Sequence, residues 1–137
     1  MVKSARLGKE IVVTVANKIG ILADISKIVS DHGINIETVA GYAADNEAKI
    51  MLVTDDNLRA SDALKKKGYT NLKEHDIVIV DLENKAGALR TVTSELAAKG
   101  IDIKHIYGTT CPGGCPAKIV LSTSDNEKAL VVFEKRS

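Results

Sequence analysis

The chain has 137 residues, 45% hydrophobic and 27% charged, an ordinary globular balance that excludes wholesale disorder. Nineteen basic against eighteen acidic side chains leave a formal charge of +1, and Tyr42, Tyr69, Tyr107 and Phe133 are the only aromatics. That excludes a global field for nucleic acid or anionic lipid and a set of base-stacking platforms. No apolar run approaches the roughly 18 residues of a membrane span, and no secretory apolar region follows the N-terminus, so a cytoplasmic protein is expected.

In chain order, residues 1–10 are mixed in character and lead into an apolar, β-branched strand from Glu10 to Val15. Asn17-Lys18-Ile19-Gly20-Ile21-Leu22 is the exit loop. From Ile19 to Asp31, Leu22, Ile25, Ile28 and Val29 recur at helical spacing, predicting an amphipathic helix that His32-Gly33 ends with a glycine cap. Ile34 to Val39 and Lys49 to Val53 read as a hairpin around the turn Asp45-Asn46-Glu47. Thr54-Asp55-Asp56 offers N-caps for a short helix that stops at Gly68. Tyr69 to Lys73 follows as a fourth strand, and Glu74-His75-Asp76 as a turn.

The loop then returns as Asn84-Lys85-Ala86-Gly87-Ala88-Leu89, 67 positions after Asn17. The same offset carries Ile11–Val15 onto Val78–Leu82 and Gly33-Ile34-Asn35-Ile36 onto Gly100-Ile101-Asp102-Ile103. Repetition at this period means two copies of one supersecondary unit. The second copy predicts a strand Ile77 to Leu82, a helix Ala86 to Lys99, strands Ile101 to Tyr107 and Lys118 to Thr123, and a helix from Asp125 to Lys135. Its hairpin tip, Cys111-Pro112-Gly113-Gly114-Cys115-Pro116, is two residues longer. The fold class is α+β: two tandem ferredoxin-like βαββαβ units, residues 1–76 and 77–137, with antiparallel sheets and helices on one face.

No strand follows the last helix, so the second unit lacks a C-terminal strand of its own. Subtracting 67 from Tyr69–Lys73 lands on Val2–Arg6. Residues 2–7 are therefore expected to pair with the second unit's sheet, within the chain or across a dimer, because a bare apolar edge invites aggregation.

The repeated loops carry the candidate chemistry. Backbone N–H groups opening a helix lie at the positive end of its dipole and hold a carboxylate or phosphate oxygen without a cationic side chain. The amides of Asn17 and Asn84 donate and accept, which suits a zwitterion. Equally, the Asn could be a helix cap and the Gly a tight turn, and spacing alone does not separate the two. Cys111 and Cys115 admit three readings: reduced thiols in a rigid turn, a reversible disulfide, or a soft metal site with His105. His32 and His75 read as solvated residues at a helix end and a turn. No nucleophile–base pairing, P-loop or metal-ligand cluster with known spacing occurs, so no enzyme, metal or cofactor is expected.

Asn-Lys-(Ile/Ala)-Gly-(Ile/Ala)-Leu after an apolar strand, then an amphipathic helix closed by Gly, then Ile-Asn-Ile, resembles the ACT domain, a small-molecule-sensing module of amino-acid metabolism, over both repeats. The resemblance implies a non-catalytic regulatory protein with an effector, usually an amino acid, bound where two ACT units meet. It assigns Asn17, Lys18, Gly20, Ile21, Leu22 and Asn35 in the first unit, and Asn84, Lys85, Gly87, Ala88, Leu89 and Asp102 in the second. Asp102 stands where the first unit has Asn35, and its carboxylate would repel an effector carboxylate while favouring an ammonium, so the two sites are not equivalent. Some serine-binding members carry a His two residues before the loop Asn, where this chain has Val15 and Leu82. A homodimer is expected, since units this small are marginal alone. The alternatives are a ligand-free module docking a biosynthetic enzyme, and a redox- or metal-responsive module using Cys111 and Cys115.

Overall fold

The computed structural model describes residues 2–135. Among them are six strands and four helices: β1 (Val2–Ala16), α1 (Ile21–Asp31), β2 (Ile36–Ala44), β3 (Glu47–Thr54), α2 (Asn57–Lys66), β4 (Leu72–Leu82), α3 (Ala88–Ala98), β5 (Ile103–Thr109), β6 (Ala117–Thr123) and α4 (Asn126–Glu134). They form two compact units, one of Lys9–His75 and the other of the residues from Asp76 onward together with residues 2–8.

In the unit Lys9–His75 the strands lie in the order β2-β3-β1-β4. β1 pairs antiparallel with β3 from Ile11↔Leu52 to Ala16↔Glu47. β2 pairs antiparallel with the other edge of β3, from Ile36↔Thr54 to Ala44↔Glu47. Alternating Ile11 and Val13, Ile50 and Leu52 therefore point to one face, where Ile25, Val29 and Leu64 from the two helices close over them. Each large apolar side chain buried in this way contributes about 1.5–3 kcal/mol.

The second unit repeats this plan, in the order β1-β4-β6-β5, with the first half of β1 as its fourth strand. Val2 is buried in the same cluster as Val78, Val80, Leu121 and Phe133, and Ala5 packs against it. Ser4 Oγ donates to Asp81 Oδ2 at 2.9 Å. The expected pairing of residues 2–7 with the second unit is thus made within one chain.

Several sequence boundaries move. The proposed limit at residue 76 assigned residues 1–8 to the first unit, whereas the described residues 2–8 pack with the second. The turn expected at Glu74-His75-Asp76 is absent, because β4 runs unbroken from Leu72 to Leu82, and His75 lies within it. Likewise β1 runs through Gly8-Lys9-Glu10. Helices α1 and α3 start at Ile21 and Ala88, two residues later than the apolar spacing implied. What overrides the local polarity in β1 and β4 is pairing, since each of these strands contributes one half to each unit.

Candidate functional site

In the first unit β1 ends at Ala16 and the loop Asn17–Gly20 leads into α1. Asn17 N–H donates to Asn46 O at 2.8 Å, tying the loop to the β2–β3 tip, and Ile21 N–H donates back to Lys18 O at 3.3 Å. Gly20 is the N-cap residue, at φ 90°, and no side chain caps the helix. Asn17 is therefore not a helix cap, and the glycine is required by a left-handed turn rather than by a close approach, since a Cβ there would meet open space. Ile19 is fully exposed and Leu22 about half exposed, so apolar surface surrounds the polar loop.

A shallow groove beside this loop is lined by Thr14, Ala16, Lys18, Ile21, Tyr69 and Asn71, among others. Tyr69 Oη donates to Asp24 Oδ2 in the first turn of α1. Burial first, and then that bond, pushes the Tyr69 hydroxyl up to about 12. The groove wall is fixed further by Thr14 N–H donating to Asn71 O at 3.0 Å.

The second loop has the same skeleton with different chemistry. Gly87 is again the N-cap in a left-handed conformation, at φ 85°. Lys85 N–H donates to Glu83 O at 3.0 Å, and Lys85 Nζ pairs with Glu83 Oε2 at 2.8 Å, which holds the Glu83 carboxyl below its usual range. Ala16 stands in the corresponding place in the first unit, so this pairing has no counterpart there. Ala88 is buried at 3% exposure, its side chain turned to the core, whereas Leu89 is about half exposed like Leu22.

Asn35 and Asp102 lie elsewhere. Because β1 and β2 both run antiparallel to β3, β2 begins at the end of the sheet opposite the loop. Asn17 follows Ala16, paired with Glu47, while Asn35 N–H donates to Asp55 Oδ1 at 3.0 Å, beyond Thr54. Seven residue steps along β3 separate Glu47 from Thr54, about 23 Å at the rise of a strand. In the second unit Asp102 N–H donates to Ser124 Oγ at 2.9 Å, beyond Thr123, whereas Leu82 pairs with Ala117. The structure therefore brings Asn17, Lys18, Gly20, Ile21 and Leu22 together, and separately Asn84, Lys85, Gly87, Ala88 and Leu89. Within a unit it does not bring Asn35 or Asp102 to them.

One repeated cluster escaped the sequence reading of the second unit. Thr54 Oγ1 donates to Asn57 Oδ1 at 2.7 Å and accepts from Asp56 N–H at 3.1 Å, while Asn57 Nδ2 donates to Lys9 O at 2.9 Å. Thr123, Asp125 and Asn126 repeat these bonds, with Asp76 O as the last acceptor. The signal was Thr-x-Asp-Asn recurring after 69 residues. Asp56 and Asp125 cap α2 and α4, and the clusters brace the sheet ends where Asn35 and Asp102 sit.

His105 stacks on Tyr107 with ring centroids 6.1 Å apart, and no group of three His, Cys, Asp or Glu side chains suited to a metal occurs among the described residues. No helix among them is long and apolar enough to cross a membrane.

These elements define an α+β, ferredoxin-like fold. The family model of the ACT domain matches residues 9–66. The second unit repeats the element order of the first. Among solved structures, a protein designated BT0572 from Bacteroides thetaiotaomicron superposes with a TM-score of 0.88 at 23% identity, covering 96% of this chain and 90% of that one. The ligand-free regulatory subunit of aspartate kinase from Thermus thermophilus gives 0.71 at 14% identity, over 98% and 97%. The regulatory subunit of aspartate kinase from Thermus flavus gives 0.66 at 16%, over the same shares of the two chains. At such identities the likeness is one of fold. No curated protein matches the chain.

Proposed function

We propose that this protein is a non-catalytic regulatory sensor that binds a small amino acid. The observation that carries the reading is the loop built twice, with a helix N-terminus opened by a left-handed glycine and flanked by half-exposed leucines. Helix N-terminal amides and their dipole suit a carboxylate, and the apolar flank suits a short side chain. Since Asn17 and Asn35 occupy opposite ends of one unit, a ligand that uses both needs the second from another ACT unit. A second copy of the chain in a homodimer would provide it. Solved structures of aspartate kinase regulatory subunits share the fold over nearly their whole length, which supports a regulatory output through a biosynthetic enzyme as partner.

A ligand that binds only the folded chain stabilises it by about 2.7 kcal/mol at a hundredfold excess over Kd. In a thermal-shift screen of the twenty amino acids, one or a few should raise the melting temperature by several degrees. Asn17→Ala or Asn84→Ala should remove part or all of the shift. An empty screen, or a shift indifferent to both substitutions, would overturn the reading. An empty screen with co-purification of a biosynthetic enzyme would instead favour a docking module that carries no ligand.

A further inference from the structure

The two cysteines and the two prolines of the whole chain fall within the six residues of the β5–β6 tip, Cys111 to Pro116. In the first unit the corresponding tip is the plain turn Asp45-Asn46, so the tip is where the two repeats differ most. The Cα atoms of Cys111 and Cys115 lie 5.8 Å apart, the ordinary span for a disulfide bridge. Cys111 is half-buried and Cys115 exposed, so the bridge can be reached from solvent. Pro112 fixes one φ angle inside the loop that the bridge closes, and Pro116 fixes one just after it.

The tip adjoins the second loop. In the first unit Asn46, two residues before Ala48, accepts the N–H of Asn17, and Ala48 pairs with Val15. In the second unit Leu82 pairs with Ala117, and the residue two before Ala117 is Cys115. One end of the bridge thus holds the position from which the first tip anchors its loop, at the end of the sheet where Asn84–Leu89 departs.

We propose that Cys111–Cys115 is a reversible disulfide that sets the conformation of the second loop, making that unit redox-responsive while the first is not. The partner is a low-molecular-weight disulfide, RSSR. The Cys115 thiolate attacks one sulfur of RSSR and expels RS⁻. The Cys111 thiolate then attacks the Cys115 sulfur of the mixed disulfide and expels the second RS⁻. The two cysteines lose two electrons and two protons, and RSSR becomes two RSH; excess thiol reverses both steps.

The test needs no knowledge of the loop's ligand. Isotope-labelled protein is equilibrated in buffers of varied reduced-to-oxidised glutathione ratio and followed by mass spectrometry and amide NMR. The expected product is lighter by two hydrogens with no glutathione adduct. The amides of Lys85, Gly87 and Leu89 should shift at the same glutathione ratio as those of the tip, while Lys18 to Leu22 stay in place. The doubly substituted C111S/C115S chain should keep the reduced-state loop signals in every buffer. A chain that carries only glutathione adducts, or a bridge that forms and leaves the amides of 84–89 unmoved, would overturn the proposal. Neither result bears on amino-acid binding at the first loop.

Discussion

The two units share a plan and differ in how each is completed. The unit Lys9–His75 obtains its fourth strand from the chain that follows α2, whereas the other obtains it from residues 2–8, far away in sequence. Both open a helix with a left-handed glycine and brace the opposite end of the sheet with a Thr-Asp-Asn cluster. Around that common frame the polar details diverge: Asn35 against Asp102, a plain turn against a tip that carries Cys111 and Cys115, and Tyr69–Asp24 against Val2 in the core. The frame is set by backbone pairing and core volume, which tolerate little change. The loops and tips contribute little to the core and are free to differ in chemistry.

The largest effect should come from removing residues 1–8. This strips Val2 and Ala5 from one core and leaves β4 with an uncovered edge, a loss of about 3 kcal/mol or more. Hydrogen exchange should then show β6 and α4 opening well before β3 and α1. Equal protection in both units would contradict a dependence of the second unit on residues 2–8.

A smaller effect separates Gly41 from Gly108, equivalent positions in β2 and β5. A Cβ at Gly108 would lie 2.9 Å from Lys118 O, a backbone atom, besides meeting the Ile119 side chain. At Gly41 the nearest atom is the tip of Ile50 at 3.2 Å, which can move. Gly108→Ala should cost about 1–3 kcal/mol in denaturant unfolding, and Gly41→Ala less than about 1 kcal/mol. Equal costs would show that the second hairpin relaxes as readily as the first.

The smallest concerns Tyr69, whose folded-state pKa of about 12 exceeds its ordinary value near 10. A raised pKa contributes stability that is fully present below the unfolded value and is lost as pH climbs through the folded one, so the window is about pH 10 to 12. Tyr69→Phe should cost about 1 kcal/mol at neutral pH and flatten the alkaline decline. Val2 holds the matching position in the second unit, so the decline should be confined to signals from α1 and its neighbours. An unchanged alkaline profile in the variant would show that Tyr69 does not set the alkaline decline.

Much of this was legible because the sequence states the unit twice: an offset of 67 aligned the strands, helices and loops. It also placed Val2–Arg6 in the register of a strand before any pairing was visible. The middles of β1 and β4 were not legible. Lys73 to Asp76 are all exposed, so no apolar alternation marks them, and Glu74-His75-Asp76 looks like a turn by composition. Only the pairing of the flanking segments holds them extended. In the loops, the residue types were read correctly as a Gly-containing helix entry, but Asn17 proved to be anchored through its backbone to Asn46 rather than capping α1. The distance between Asn17 and Asn35 depends on strand direction, which residue spacing does not encode.

That distance makes the central claim testable by subunit complementation. For an amino acid whose binding is lost in both Asn17→Ala and Asn35→Ala, the two variant chains are unfolded together, refolded as a mixture and titrated by calorimetry. If a site takes Asn17 from one copy and Asn35 from another, mixed dimers rebuild one intact site, and roughly a quarter of the wild-type stoichiometry should return at wild-type affinity. A mixture as inert as its separate components would contradict a site shared between copies of the chain.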